Sequence, residues 1–231
     1  IYNINTRNLT IDEETASINS FTMSGSAGTV TQGFALTTGT FAQSAGIFNM
    51  GAAINASGDC TFSGGTFTGN TSYTFTWSGT GNWREQNGWT LTATTLNLTC
   101  SGNGGTVTRY TTNAFNLLTI SNNTTWDLDT TVSGNPRQLS VASTKTLTLN
   151  NIMAVQVGLT NGSYSNSGTI AGAGKLFFAH ATNDSTVTVG TVNCPVVIRN
   201  NSSATGNRKM TLGANATFGS TLELRSEHAS Y

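Results

Sequence analysis

Charge is the scarcest property of this chain. Only 9% of its 231 residues are charged, ten basic against ten acidic, and the formal net charge is zero. A nucleic-acid partner requires a basic face that displaces counterions, so that class is excluded. The same neutrality removes the usual repulsion between copies of one molecule. Proline occurs only at Pro136 and Pro195, which suits a backbone hydrogen-bonded mostly as strand. No run of about 18 apolar residues occurs, so no transmembrane helix is expected. No signal peptide is recognisable, and the chain begins at Ile1 rather than Met. It reads as a processed product or as the ordered part of something longer. No segment carries the period of an amphipathic helix. The three cysteines form no CxxC, CxxCH or Cys/His metal pattern. Cys60 and Cys100 stand 40 residues apart and could meet in a disulfide; buried free thiols are the other reading.

Threonine is abundant, nearly one residue in five, and Thr, Ser, Asn and Gly together make up about half the chain. Such polar bias alone would suit disorder. Regular apolar pairs argue against it. Phe75 and Trp77 are followed 21 residues on by Leu96 and Leu98, then by Leu118 and Ile120, then by Leu139 and Val141. A second column runs from Val155 and Val157 through Leu176 and Phe178 to Val196 and Ile198, with Phe218 beyond. Trp126 and Leu128 precede Leu147 and Leu149 by 21. Each apolar-x-apolar unit puts both side chains on one face of a strand. A fixed period of this length predicts a solenoid of stacked coils.

Phe34, Phe41, Phe48 and Phe62 fall on a spacing of seven, and three sevens make one coil, so a coil with three short sides accounts for both periods. The glycines between them oppose a helical heptad reading. Residues 78–90, with Trp83, Arg84, Glu85 and Trp89, break the pattern and are expected to project as a loop, the usual place for solenoid function. There the tryptophans and Arg84 could grip a sugar ring or a receptor; alternatively the loop folds back and both indoles fill its underside.

The phrases Ala114-Phe115-Asn116-Leu117-Leu118-Thr119-Ile120-Ser121-Asn122, Leu139-Ser140-Val141 and Leu147-Thr148-Leu149 resemble the repeats of large microbial surface proteins, as does the stretch from Phe34 to Phe67. The likeness, over roughly residues 20–225, is to right-handed parallel β-helices of the pectate-lyase-like and filamentous-haemagglutinin-like type. It implies an extracellular, cell-surface or virion-surface protein. Adhesins, autotransporter passengers, viral tailspikes and polysaccharide-cleaving enzymes all belong to that broad group.

Candidates for chemistry are few. Asp127 and Asp129 would share one outer face and are the best carboxylate pair for sugar cleavage; the positions one coil on, Thr148 and Asn150, are neutral. His180, Asn183 and Asp184 read as a turn, and His228 as part of a solvated tail. Asn-x-Ser/Thr sequons recur, among them Asn70, Asn123, Asn161 and Asn201, and could carry glycans in a secreted protein. Thr-x-Thr runs at 74–76 and 146–148 suggest an ice-binding grid, but the 21-residue count lays Thr95 and Asn97, then Leu117 and Thr119, over the first of them. The expectation is therefore a single domain over 1–231, a right-handed parallel β-helix of ten to eleven coils with no catalytic residues, metal or cofactor. Its expected role is structural: a subunit of a filament, sheath or surface layer, or an adhesin stalk, whose partners are copies of itself and, secondarily, glycans. A carbohydrate- or receptor-binding β-helix such as a phage tail fibre is the alternative, and a polysaccharide-degrading enzyme is the third reading.

Overall fold

The computed structural model describes residues 8–12, 16–25, 28–92, 95–110, 113–128, 136–157, 163–180, 184–200, 209–213 and 216–226. All regular structure among them is parallel β, with no helix. The strands stack into a β-solenoid of about eight turns with about 21 residues per turn. Each turn visits three sides in order. Side I begins with Leu9–Ile11, Thr29–Gln32 and Ile47–Asn49, continues through Trp89–Leu91, and resumes with Met153–Val157, Leu176–His180, Val196–Asn200 and Leu222–Ser226. Side II holds strands such as Thr74–Trp77, Asn97–Cys100 and Leu117–Ile120. Side III holds Asn82–Glu85, Gly105–Arg109 and Thr124–Leu128. The eight-residue strands Ala16–Met23 and Leu36–Gln43 bend across sides II and III. Eight turns carry a strand on all three sides. The two that contain Leu117–Ile120 and Gln138–Val141 have strands on sides II and III only among the described residues, so the ten to eleven coils counted from the period include incomplete ones.

Strand alternation fills the interior. Leu98, Leu118 and Leu139 lie over one another on side II, each at most 1% exposed. In the N-terminal half the filling is aromatic. Phe21 stacks on Phe41 at 4.8 Å, Phe48 stacks on Phe67 at 5.1 Å, and Phe41 meets Phe48 edge-on across the interior at 5.4 Å. Further along, Leu, Ile and Val take over. Full burial of each such ring or aliphatic chain contributes about 2–3 kcal/mol, and ring pairs in these geometries add about 1 kcal/mol.

The register departs from the 21-residue count in several places. Phe75 and Trp77 lie against Leu98 and Cys100, not Leu96 and Leu98. Trp126 lies against Leu149 rather than Leu147, and Val155 lies against Phe178 rather than Leu176. Phe41 pairs with Cys60 while its ring still reaches Phe62 at 5.7 Å. Phe218 falls beside Val192 on side III, and side I continues instead with Leu222 and Leu224. Most of these slips are of two residues, which keeps the same face inward. The hydrophobic pattern is satisfied either way, and the length of each corner decides.

Corners need close backbone approach. Between sides III and I, Gly46 (φ 70°) and Gly65 (φ 85°) stack turn on turn. A Cβ on Gly65 would sit 2.5 Å from the Gly46 carbonyl oxygen, so glycine is required there for both conformation and space. The buried Gln43 amide secures the same corner, its Nε2 donating to the carbonyls of Gly46 (3.3 Å) and Thr66 (3.0 Å).

Candidate functional site

The segment 78–90 is not a projecting loop. Asn82–Glu85 is a side III strand paired with Cys60–Phe62 below and Gly105–Arg109 above, and Trp89–Leu91 is a side I strand paired with Gly65–Thr68. Trp83 is 0% exposed and Trp89 4%. Trp83 packs on Phe62 at 4.6 Å and meets Phe75 edge-on at 5.0 Å; Trp89 packs on Phe62 at 4.6 Å and donates from Nε1 to Gln43 Oε1 at 3.1 Å. Neither indole presents a face for a sugar. Arg84 is exposed on the outer side of the strand, opposite Thr61 and Thr108. The structure therefore separates Arg84 from the two tryptophans with which it was grouped.

The same alternation that buries Trp83 buries Glu85, which no spacing argument had marked. Glu85 and Arg109 are both fully buried, and Arg109 Nε donates to Glu85 Oε2 at 2.7 Å. Trp83 Nε1 donates to the other carboxylate oxygen at 3.2 Å. Arg109 Nη2 donates to the Asn113 carbonyl at 2.7 Å, and the Asn113 side chain donates in turn to the Leu91 carbonyl. The guanidinium lies 3.8 Å from the centroid of the Phe115 ring and 5.8 Å from that of Trp126. Arg109 Nη1 and Trp126 Nε1 have no hydrogen-bond partner among the described residues. A readable signal existed: Trp83-x-Glu85 and Val107-x-Arg109 carry opposite charges at inward positions of neighbouring turns. The cluster is an interior clamp. Its charges reach no solvent, so it ties the two turns together and offers nothing to a ligand.

Cys60 and Cys100 do not share a side. Cys60 lies on side III against Phe41 and Trp83, and Cys100 lies on side II against Trp77 and Ile120. Both are free, buried thiols, as is Cys194, so the Cys60–Cys100 disulfide is not formed and the reading as buried thiols holds. Burial pushes all three thiols above their ordinary range; for Cys60 the neighbouring Asp59 charge adds to this. We expect a thiol-specific disulfide reagent at pH 8 to label none of the three rapidly in the folded protein and all three after denaturation without reductant. One reactive thiol instead of three in the denatured chain would re-establish the disulfide.

Asp127 is half-buried on side III. Its Oδ1 accepts from the Leu128 backbone at 2.8 Å and from Asn151 Nδ2, and its Oδ2 lies 3.5 Å from Asn150 Nδ2. These amides bind the carboxylate into the wall. Asp129, its expected partner, lies outside the described residues, as do Asn183, His228 and the sequon residues Asn161 and Asn201. Asp184 Oδ1 accepts from the Lys209 backbone at 2.9 Å, joining adjacent turns. Asn70 is half-buried with Oδ1 accepting from the Ser72 backbone at 2.9 Å. Asn123 is exposed, bonded to Asn103 and to the Thr146 backbone.

The exterior is a set of hydroxyl and amide rows. On side II, Thr76, Thr99, Thr119, Ser140, Ser165 and Thr188 stand in one line. The 21-residue count had missed this line. The neighbouring row reads Thr74, Asn97, Leu117, Gln138 and Ser163. One regular row beside a mixed one does not make a two-row threonine grid on this side. Ladder contacts hold the amides: Asn116 Nδ2 donates to Asn97 Oδ1 at 2.7 Å, and Asn97 Nδ2 donates to the Thr71 and Tyr73 carbonyls. Among the described residues no helix is long and apolar enough to cross a membrane. Neither a protein-family profile, nor a curated protein, nor a solved structure matches the chain.

Proposed function

We propose that this chain is an extracellular structural protein, a rod that serves as the subunit of a filament, sheath or surface layer or as the stalk of an adhesin. One observation carries the reading: apolar ladders fill the interior along the described turns, while the charge-poor walls present rows of Thr, Ser and Asn whose amides are engaged in turn-to-turn hydrogen bonds. Parallel pairing directs backbone hydrogen bonds along the rod axis, so tension is carried by the ladders of sides II and III, with side I adding to them where its strands are present. Near-zero charge lets copies approach without repulsion. Placement outside the cell or on a virion rests on the resemblance to surface-protein repeats. The reading assigns the chain no catalytic residues and no cofactor. Electron microscopy and sedimentation of the purified chain test it. Ordered polymers are expected as concentration rises for a filament, sheath or surface-layer subunit, and strictly dispersed monomers at high concentration would overturn those roles and leave only the stalk.

A further inference from the structure

Side II carries one regular hydroxyl row; side I, over the turns from Thr10 to Thr92, carries two. Thr10, Thr31, Asn49 and Thr68 stand in one line across the strands Leu9–Ile11, Thr29–Gln32, Ile47–Asn49 and Gly65–Thr68. Thr92 extends that line, its Oγ1 lying 3.3 Å from the Oγ1 of Thr68. Two residues earlier on the strands, Thr29, Ile47, Thr66 and Thr90 form a second line. Between the two lines Val30, Phe48, Phe67 and Leu91 point inward, each 0% exposed. Thr-x-Thr therefore recurs at 29–31, 66–68 and 90–92, and the turn between the first two carries Ile47-x-Asn49. Thr10, Thr31, Thr90 and Thr92 are exposed, as is Ile47, and the remaining members are half-buried. Behind the lines the Phe48 and Phe67 rings stack within 13° of parallel, so these two turns are laid one on the other with little rotation. No charged residue lies on either line. From residue 15 to residue 108 the only charged residues are Asp59, Arg84 and Glu85. Asp59 and Arg84 belong to side III and the corner that leads into it, and Glu85 is buried.

We infer that this part of side I is a face for ordered water, and that its partner is the surface of an ice crystal. The inference stands apart from the structural reading, which needs no such face. Stacked strands set the threonines about 4.8 Å apart from turn to turn, and alternation sets them about 6.6 Å apart along each strand. Both repeats lie within about a tenth of the oxygen repeats along the two axes of the prism face of hexagonal ice. Threonine is stiff at χ1, so each methyl and hydroxyl keeps a fixed place on the grid. The hydroxyls can stand in for lattice oxygens while the methyls fill the hollows between them. Ile47 supplies the branched methyl without the hydroxyl. Water already held in a regular array loses little further freedom when it joins the crystal. A charged group on the face would draw water into a shell around itself and break that array; the two lines contain none.

Three readouts on the full chain test this: partition into a slowly growing ice hemisphere, the gap between the melting and growth temperatures of a single ice crystal, and the shape of that crystal. The wild type is expected to enter the ice, open the gap and facet the crystal. The double variant Thr31→Tyr/Thr90→Tyr places two bulky rings on exposed grid positions, so it should keep the wild-type melting curve and lose all three effects. Ser165→Tyr, an exposed change in the side II row, should keep them. A wild type that the growing ice rejects, with no gap and no faceting, overturns the proposal. So does a double variant that stays folded and keeps the effects, or a Ser165→Tyr chain that loses them equally, since the ice would then be held elsewhere. If the grid instead joins two copies side by side, sedimentation shows a dimer that Thr31→Tyr/Thr90→Tyr disperses, ice rejects the wild type, and the proposal falls.

Discussion

Replacing Arg109 with alanine is expected to destabilise the solenoid by about 3–5 kcal/mol, because it leaves the fully buried Glu85 carboxylate without its partner. For a chain of this size that corresponds to a fall in Tm of roughly 10 °C or more. Glu85→Ala should cost a similar amount, since it strands the guanidinium between Phe115 and Trp126. Removing both charges together, as in Glu85→Leu/Arg109→Met, should restore most of the loss, because a well-packed apolar pair avoids the desolvation that a buried ion pair carries. Solenoids can unfold in parts, so the readout should be local. All four tryptophans lie between residues 77 and 126, and their fluorescence reports on the turns that hold the clamp. Two single variants each costing under about 1 kcal/mol, or a double variant no better than the singles, would show that the pair is not buried as described.

The clamp also bears on register. A slip of two residues between Asn82–Glu85 and Gly105–Arg109 would keep every inward position inward, yet it would pull the carboxylate away from the guanidinium. Apolar ladders tolerate such a slip; a buried charge pair does not.

Trp83→Ala is the second large effect, expected at about 3–5 kcal/mol. The indole is fully buried against Phe62, Phe75 and Phe115, so truncation opens a cavity in the aromatic half of the core and removes a donor from Glu85. Trp83→Phe should recover part of the packing and none of that hydrogen bond. Calorimetry or the same fluorescence melt gives the answer. A surface tryptophan would change stability by no more than about 0.5 kcal/mol, so a near-silent Trp83→Ala would return the residue to a projecting loop and reopen glycan contact there.

The misreading of residues 78–90 has a clear cause. Gly79, Gly81, Asn82 and Gly88, with Arg84 and Glu85 between them, carry every local signal of a loop. Propensity could not weigh against this the two partner strands already waiting at Cys60–Phe62 and Gly65–Thr68. A similar argument covers the cysteines. Forty residues looked like two coils, but Cys60 stands on side III and Cys100 on side II. Corner lengths vary, so sequence distance does not translate into height and side.

What the sequence determined by itself is the class of object: paired apolar residues at strand alternation, repeated near 21, can bury their faces only by stacking turn on turn. That conclusion needs periodicity alone and tolerates errors of two residues. What tertiary structure decided is which residue stands over which. Those slips are nearly equal in hydrophobic free energy, and they are separated only by corner geometry at Gly46 and Gly65, by side-chain amides such as Gln43, and by the Glu85–Arg109 contact across two turns.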